Sequence, residues 1–371
     1  MTESQDSRVE ISGRIAQARD DAGMTQAQLA AAIGLDRTAV AKIETGVRKV
    51  SATELVGISA ALDRPIDWFV LESPPGVISR RQDPIVGGHS QPLDRSVELL
   101  GRDAAFLLEQ GVLTAESRRR FEMPQDFAAA EQLAAEARRL MGVENGPLLN
   151  LQASCEGTGL LAFSLELGPT GGDAAYVEVD DLGVALINGS LDPGRRRFNL
   201  AHEFGHHLVG DAYAPEIAVV ARDETERFLN AFAVYLLMPR EAVRKAWKQM
   251  ADWDRRLAAV AVSVRFRTSW TATCSHLRNL QLIDDQEMEE LTSAPPRKGD
   301  FFELGEWWVP ELESPSVPPE YGRRVVRAYR SGKLTASRTV ELLWDTVTET
   351  DLPALEAIPL EGVRREFEPL Q

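Results

Sequence analysis

Residues 199–210 read NLAHEFGHHLVG and gather three of the chain's five histidines within six positions, with a glutamate between the first two. The stretch lies inside an apolar, helix-period pattern that runs from about residue 193. On such a helix, positions 202 and 206 stand one turn apart on one face, with β-carbons about 5 to 6 Å from each other. His202 and His206 can therefore share a single ion. His207 points about 100° away from His206 around the helix and reads as a polar flank. A lone histidine is usually a satisfied core or surface residue, but here the spacing and the intervening Glu203 coincide with a second feature downstream.

That feature is DETERFLNAFAVYLLMP, residues 223–239, which reads as another helix stopped by Met238-Pro239. Glu226 and Asn230 are four residues apart on it, so both can face one site. Glu226 supplies a third ligand, and Asn230 is placed to accept the spare ring N–H of a ligating histidine. Phe228, Leu229, Phe232, Ala233, Leu236 and Leu237 fill the surrounding core. Two histidines and one carboxylate are a donor set for a zinc ion that keeps a position open for water. HExxH with a glutamate between its histidines is the arrangement of zinc proteases, in which Glu203 acts as general base rather than ligand. The oxyanion of such a reaction needs a further donor, for which Tyr213, Tyr235 and His276 are candidates.

The 371 residues suffice for roughly two or three domains, each with its own core. No apolar run approaches the roughly 20 residues of a membrane helix, and the start MTESQDSRVE lacks the layout of a signal peptide, so a cytoplasmic protein without membrane partners is expected. Cys155 and Cys274 stand alone and far apart, as in a reducing compartment. A net charge of −16 excludes nucleic-acid binding over the whole surface and confines any DNA contact to a patch.

Such a patch is offered by the N-terminal helices. Thr25 with Gln28 and Ser51 with Glu54 have capping-box spacing, Asp36 can cap a helix between them, Gly34 serves the preceding turn and Gly46 follows the helix end. Two short helices across a tight turn form a helix-turn-helix. On the second of them Val40 and Ile43 face the core, whereas Arg37, Thr38, Ala41 and Lys42 face outward near the end that enters a major groove. Arg48 and Lys49 can grip the backbone, and Gln26 is placed for a phosphate or base contact. Alternatively, these charged positions form a solvated face of a module that contacts only protein.

The expected organisation is a helical domain over 1–71, a linker over 72–93 and a second domain over 94–292, whose helices at about 94–110 and 123–142 precede a small antiparallel sheet within 158–188. The second of these helices is opened by Pro124 and closed by Gly142. A proline-rich linker with a Trp307–Trp308 pair spans 293–318, and a helical tail runs over 319–371. The fold class is thus α+β, mostly helical: an all-α N-terminal domain, then a sheet-containing domain and a helical C-terminal region.

TQAQLA, KIETG and ALDRPIDWF, within residues 11 to 70, resemble the XRE-type helix-turn-helix family, which implies double-stranded operator DNA as partner and self-association as a homodimer on two-fold sites. RRRFNLAHEFGHHLVG and ERFLNAFAVYLLMP, with the sheet, make residues 120 to 290 similar to ImmA/IrrE-type metallopeptidases of zincin-like fold. That resemblance implies His202, His206 and Glu226 as Zn2+ ligands and Glu203 as general base. It departs from the family at Phe228 and Leu229, where a glutamate and an alanine are frequent, and at Asn199, where many members carry threonine. VAVSVRFRTSWTATCSHLRNLQLID resembles a trailing helix-turn-helix-like element at about 255–285, whose Arg265, Arg267 and Arg278 either bind substrate or DNA or form a solvated face. The expected function is a DNA-binding transcriptional regulator with a zinc-dependent endopeptidase that cleaves a repressor, an antitoxin or itself under stress or another signal. A second expectation is a non-enzymatic operator-binding antitoxin or sensor, in which the peptidase fold holds a partner, such as a toxin, or a ligand.

Overall fold

Capping governs the first helices of the computed structural model, which describes residues 3–62, 64, 66–70, 79–81, 91–117, 119–210, 219–305 and 310–356. Two compact units emerge, Met1–Pro74 and Pro75–Gln371. In the first, α1 (Glu3–Asp21) and α2 (Gln26–Ile33) are followed by α3 (Arg37–Glu44), α4 (Ala52–Leu62) and the short α5 (Ile66–Val70). Thr25 and Gln28 form the reciprocal capping box of α2, and Gly34 ends that helix in the left-handed conformation at φ 70°. Asp36 accepts from the Ala39 N–H at 2.8 Å and starts α3, while Ser51 and Glu54 exchange the same pair of bonds ahead of α4. Ile15, Leu29, Val40, Ile43, Ile58 and Phe69 close the core of this unit.

The second unit begins with β1 (Ser79–Arg81), which lies inside the stretch expected to be a linker and instead adds a strand to the sheet. The rest of that expected linker up to residue 90, with His89, lies outside the described residues. Next come α6 (Gln91–Glu109), α7 (Phe127–Leu140) and α8 (Leu151–Glu156). Helix α7 starts later than Pro124 suggested, because Asp126 is its N-cap and accepts from the Ala129 N–H at 2.7 Å.

Strands β2 (Leu160–Leu165), β3 (Ala174–Val179) and β4 (Leu182–Asn188) then complete a sheet of order β1-β3-β4-β2. The sheet is mixed, not wholly antiparallel as expected. β3 and β4 form an antiparallel hairpin about Asp180 at φ 54°, but β2 runs parallel to β4, because the connection after β2 carries the chain past the place that β4 later fills. Both faces are covered, which explains why β4 is buried along its whole length and shows no polar alternation from which strand direction is read.

One face packs against α8 and α9 (Pro193–Val209), and α10 (Val219–Leu237) and α7 stack on α9 in turn, in one core that includes Ala162, Tyr176, Ala185, Phe204 and Phe232. Beyond these lie α11 (Arg240–Gln249), α12 (Arg255–Phe266), α13 (Trp270–Asn279), α14 (Asp285–Ser293) and α15 (Lys298–Leu304). The opposite face is covered by α6 together with α16 (Pro319–Arg330) and α17 (Ala336–Leu342), where Tyr321, Val325 and Leu342 meet Phe163, Val177 and Leu186. The described part of the expected C-terminal tail therefore belongs to the core of the second unit. Glu156 at the end of α8 accepts from the backbone N–H groups of Glu320 and Tyr321 at 2.8 and 2.6 Å, which docks the start of α16. Trp307, Trp308 and residues from 357 onward lie outside the described residues. Among the described residues no helix is long and apolar enough to cross a membrane.

Candidate metal centre and helix-turn-helix surface

Helix α9 is set by its ends: Pro193 occupies the first turn, where its missing N–H costs nothing, and Gly210 closes the helix in the left-handed conformation. It is buried on nearly every side. Its rotational setting is held by His207, which is no polar flank but a fully buried core residue. The Thr158 carbonyl, 3.2 Å from His207 Nε2, can only accept, so that nitrogen carries the proton and Nδ1 accepts from the Tyr176 hydroxyl at 3.2 Å. Gly183 makes room for the ring, since a β-carbon there would collide with His207 Nδ1. The sequence signal for this packing was a glycine inside an apolar strand, a mark of close approach.

With His207 turned to the sheet, His202 and His206 face the other way, toward α10. Gly205 lets α10 come close, for a β-carbon at that position would stand 3.0 Å from Phe232 Cδ1 and 3.1 Å from Leu229 Cδ2. Glu226, six residues before Phe232 on α10, then reaches both rings. Its carboxylate oxygens lie 3.1 Å from His202 Nε2 and 3.6 Å from His206 Nε2, and the two ring nitrogens are 3.2 Å apart. A tetrahedral ion with bonds of about 2.0 to 2.1 Å spaces its donors roughly 3.3 Å apart. The three donors thus already stand at the separations of a shared ion, and they form the only such group among the described residues. His202, His206 and Glu203 are all buried, and burying three such polar side chains together is costly unless they have a ligand or partner.

Glu203 follows His202 on the buried face of the helix, beside the donors and not among them. Asn230 is half-buried one turn after Glu226 on α10, but no hydrogen bond joins its side chain to the Nδ1 of His202 or His206, so the expected bond to a ligating ring is absent. The unusual Phe228 points away from the centre, with its ring edge-on to Phe127 of α7 at 5.5 Å, and Leu229 is core, so both departures serve helix packing. Asn199 is fully buried inside α9 and does not disturb the start of the helix at Pro193.

Of the oxyanion candidates, Tyr213 lies outside the described residues. Tyr235 is half-buried and packs edge-on against His276 at 6.1 Å. Burial lowers the His276 pKa to about 4, so this ring stays neutral and bonds the Met238 backbone. The α12–α13 arginines are engaged within the chain: Arg267 donates to the Leu149 carbonyl, Arg278 pairs with Asp285 at 2.6 Å and Arg265 reaches Gln249.

In the first unit, Arg37, Thr38, Lys42 and Lys49 are exposed and Ala41 is half-buried between them. Arg48 pairs with Glu54 at 2.7 Å, which ties the segment after α3 to α4. The Gln26 amide donates to Glu44 at 2.8 Å, and Glu44 also holds Arg19 at 2.6 Å. Gln26 of α2 is therefore oriented by a part-buried ion pair that joins α1 and α3, a role that no local sequence pattern displays.

Residues 15–69 match the helix-turn-helix family model, and residues 155–278, which include every proposed metal ligand and Glu203, match that of the IrrE N-terminal-like domain of the M78 peptidases. No curated protein matches the chain. The chain thus joins an XRE-type helix-turn-helix to an IrrE/ImmA-like metallopeptidase domain.

The approach of α10 at Gly205 makes a specific expectation. If the three donors hold a divalent metal ion, Gly205→Leu, which forces α10 outward, is expected to weaken its affinity at least about tenfold, in the range found when groups supporting metal ligands are lost, while far-ultraviolet circular dichroism stays helical. Unchanged affinity in a competition titration with a chromophoric chelator would contradict this role of the glycine.

Proposed function

We propose that the chain is a DNA-binding transcriptional regulator whose second domain is a zinc-dependent endopeptidase that cleaves a regulatory protein, either a repressor, an antitoxin or the chain itself, in response to a signal. The observation that carries this reading is the spacing of His202, His206 and Glu226 at the separations of a tetrahedral ion, with Glu203 next to them. Zinc held by these three side chains would supply a Lewis acid that polarises a peptide carbonyl and lowers the pKa of a water toward about 7. The Glu203 carboxylate takes the proton of the attacking water and returns it to the leaving nitrogen. Burial of Glu203 on α9 keeps competing solvent away from that transfer.

The first unit supplies the address. Arg37 and Lys42 reach base edges or phosphates, Lys49 and Arg48 hold the backbone, and Thr38, Ala41 and Gln26 line the surface between them, with two copies of the chain on a two-fold operator. The charge of −16 makes this small cationic face the natural contact for DNA.

Glu203→Gln separates the two expectations for the peptidase fold. The variant is expected to retain one zinc per chain and to lose at least about a hundredfold of the cleavage seen when the native chain is co-expressed with the product of the adjacent gene. Stable native and variant complexes with that product, with neither chain cutting it or itself, would instead identify a partner-binding platform. For the first unit, Arg37→Ala and Lys42→Ala are each expected to weaken binding to the DNA upstream of the chain's own coding sequence and to reduce the salt slope by about one. Two variants with native affinity and native slope would remove α3 from the DNA contact.

A further inference from the structure

Asn199 is fully buried in α9, and neither its Oδ1 nor its Nδ2 has a hydrogen-bond partner. Nearly all buried side-chain amides are paired, because leaving such a group unmet costs stability. In the preceding turn, on the same side of the helix, the polar groups are engaged elsewhere. Arg195 pairs with Asp173 at 2.7 Å, and Arg196 donates to the Gly189 carbonyl at 2.9 Å. The packing of α9 thus gives no use for a carboxamide at this position, and a polar group kept against stability is characteristic of a functional site.

Helical geometry places the amide in the reaction centre. Each residue turns the helix by about 100° and advances it by about 1.5 Å, so Asn199 stands about 60° from His202, 20° from His206 and 40° from Glu203. It therefore lies in the angular gap between the paired histidines and the glutamate, one turn closer to the start of α9. Side chains on a helix lean toward its N-terminus, so Glu203 projects over the turn that holds Asn199. The two residues are equally buried. Any opening that admits a peptide to Glu203 also uncovers Asn199, at about 4.5 to 6 Å along the axis from His202 and Glu203. That distance is within the reach of a side chain next to the scissile bond.

Building on the peptidase reading above, we propose that Asn199 determines specificity: its amide pairs with a carboxamide side chain, asparagine or glutamine, on a substrate residue flanking the scissile bond. An amide offers one acceptor and two donors, and another carboxamide returns the complementary set, so both orphaned atoms of Asn199 are met at once. An apolar side chain leaves them unmet, and a charged one is desolvated there without a counter-charge from Asn199. Sites built to hydrogen-bond a substrate group discriminate strongly against analogues that lack it.

The test uses the zinc-loaded full chain, a proteome-derived peptide library, and two apolar variants, Asn199→Leu of the same branched shape and the smaller Asn199→Val. The native chain is expected to cut peptides with asparagine or glutamine enriched at least about tenfold at one flanking position, and both variants are expected to lose that enrichment. The second readout is thermal unfolding of the metal-free chains in chelator. The better-fitting variant is expected to raise the midpoint by about 2 °C or more, since it removes an unmet polar group; an amide with a structural role gives the opposite sign. Cleavage without carboxamide enrichment, enrichment kept in either variant, or a lowered midpoint in both variants would overturn the role of Asn199 and leave the peptidase reading intact. A zinc-loaded native chain that cuts no peptide contradicts the peptidase reading itself, and the proposal falls with it.

Discussion

The close approach of α10 to α9 at Gly205 is the contact on which the candidate metal centre depends. Three donors from two helices can share an ion only if the helices are near enough for a carboxylate on one to reach imidazoles on the other. The missing side chain at Gly205 permits that distance, and Phe232 and Leu229 fill the space it leaves. Arg138 of α7 adds a constraint from outside, since its buried guanidinium donates to the carbonyls of Leu236, near the end of α10, and of Glu144 and Gly146. The donor separations of 3.1 to 3.6 Å are therefore a product of helix packing, formed before any ion is considered.

A second constraint acts around the circumference of α9. The helix is embedded, so each of its faces must satisfy a different environment. His207 meets the sheet through a tyrosine hydroxyl and a backbone carbonyl, Phe204 and Leu200 meet the apolar core, and His202 and His206 meet Glu226. Rotation of the helix by one residue would bury the histidine pair against apolar strands and expose Phe204 to the polar cluster. The cost of burying unpaired imidazoles, a few kcal/mol each, makes the observed setting the one consistent with all three environments.

Much of this centre was readable in the sequence because its spacing is local. The i, i+4 histidines and the i, i+4 pair Glu226 and Asn230 depend only on helical period, and the caps at Thr25, Asp36 and Ser51 are signals of three or four residues. What remained hidden depends on distant parts of the chain. The direction of β2 was unreadable because both sheet faces are apolar. The strand at 79–81 sits among prolines and glycines and acquires its conformation from β3. His207 looked polar by type, and only its partners Tyr176, Thr158 and Gly183, all from other elements, make it core. Arg48 and Gln26 looked free for DNA on the same local grounds, yet each is oriented by an acidic neighbour. The helices after residue 319 had the pattern of a tail, and the face they cover is invisible without the sheet.

The most direct test of the metal centre is X-ray absorption at the zinc edge on the purified full chain, together with metal analysis. One zinc per chain is expected, with a first shell of nitrogen and oxygen at about 2.0 to 2.1 Å that contains two imidazoles, and this signal should change in Glu226→Ala. A first shell containing sulfur, or a zinc environment that is the same in native protein and in Glu226→Ala, would contradict the joint ligation by α9 and α10.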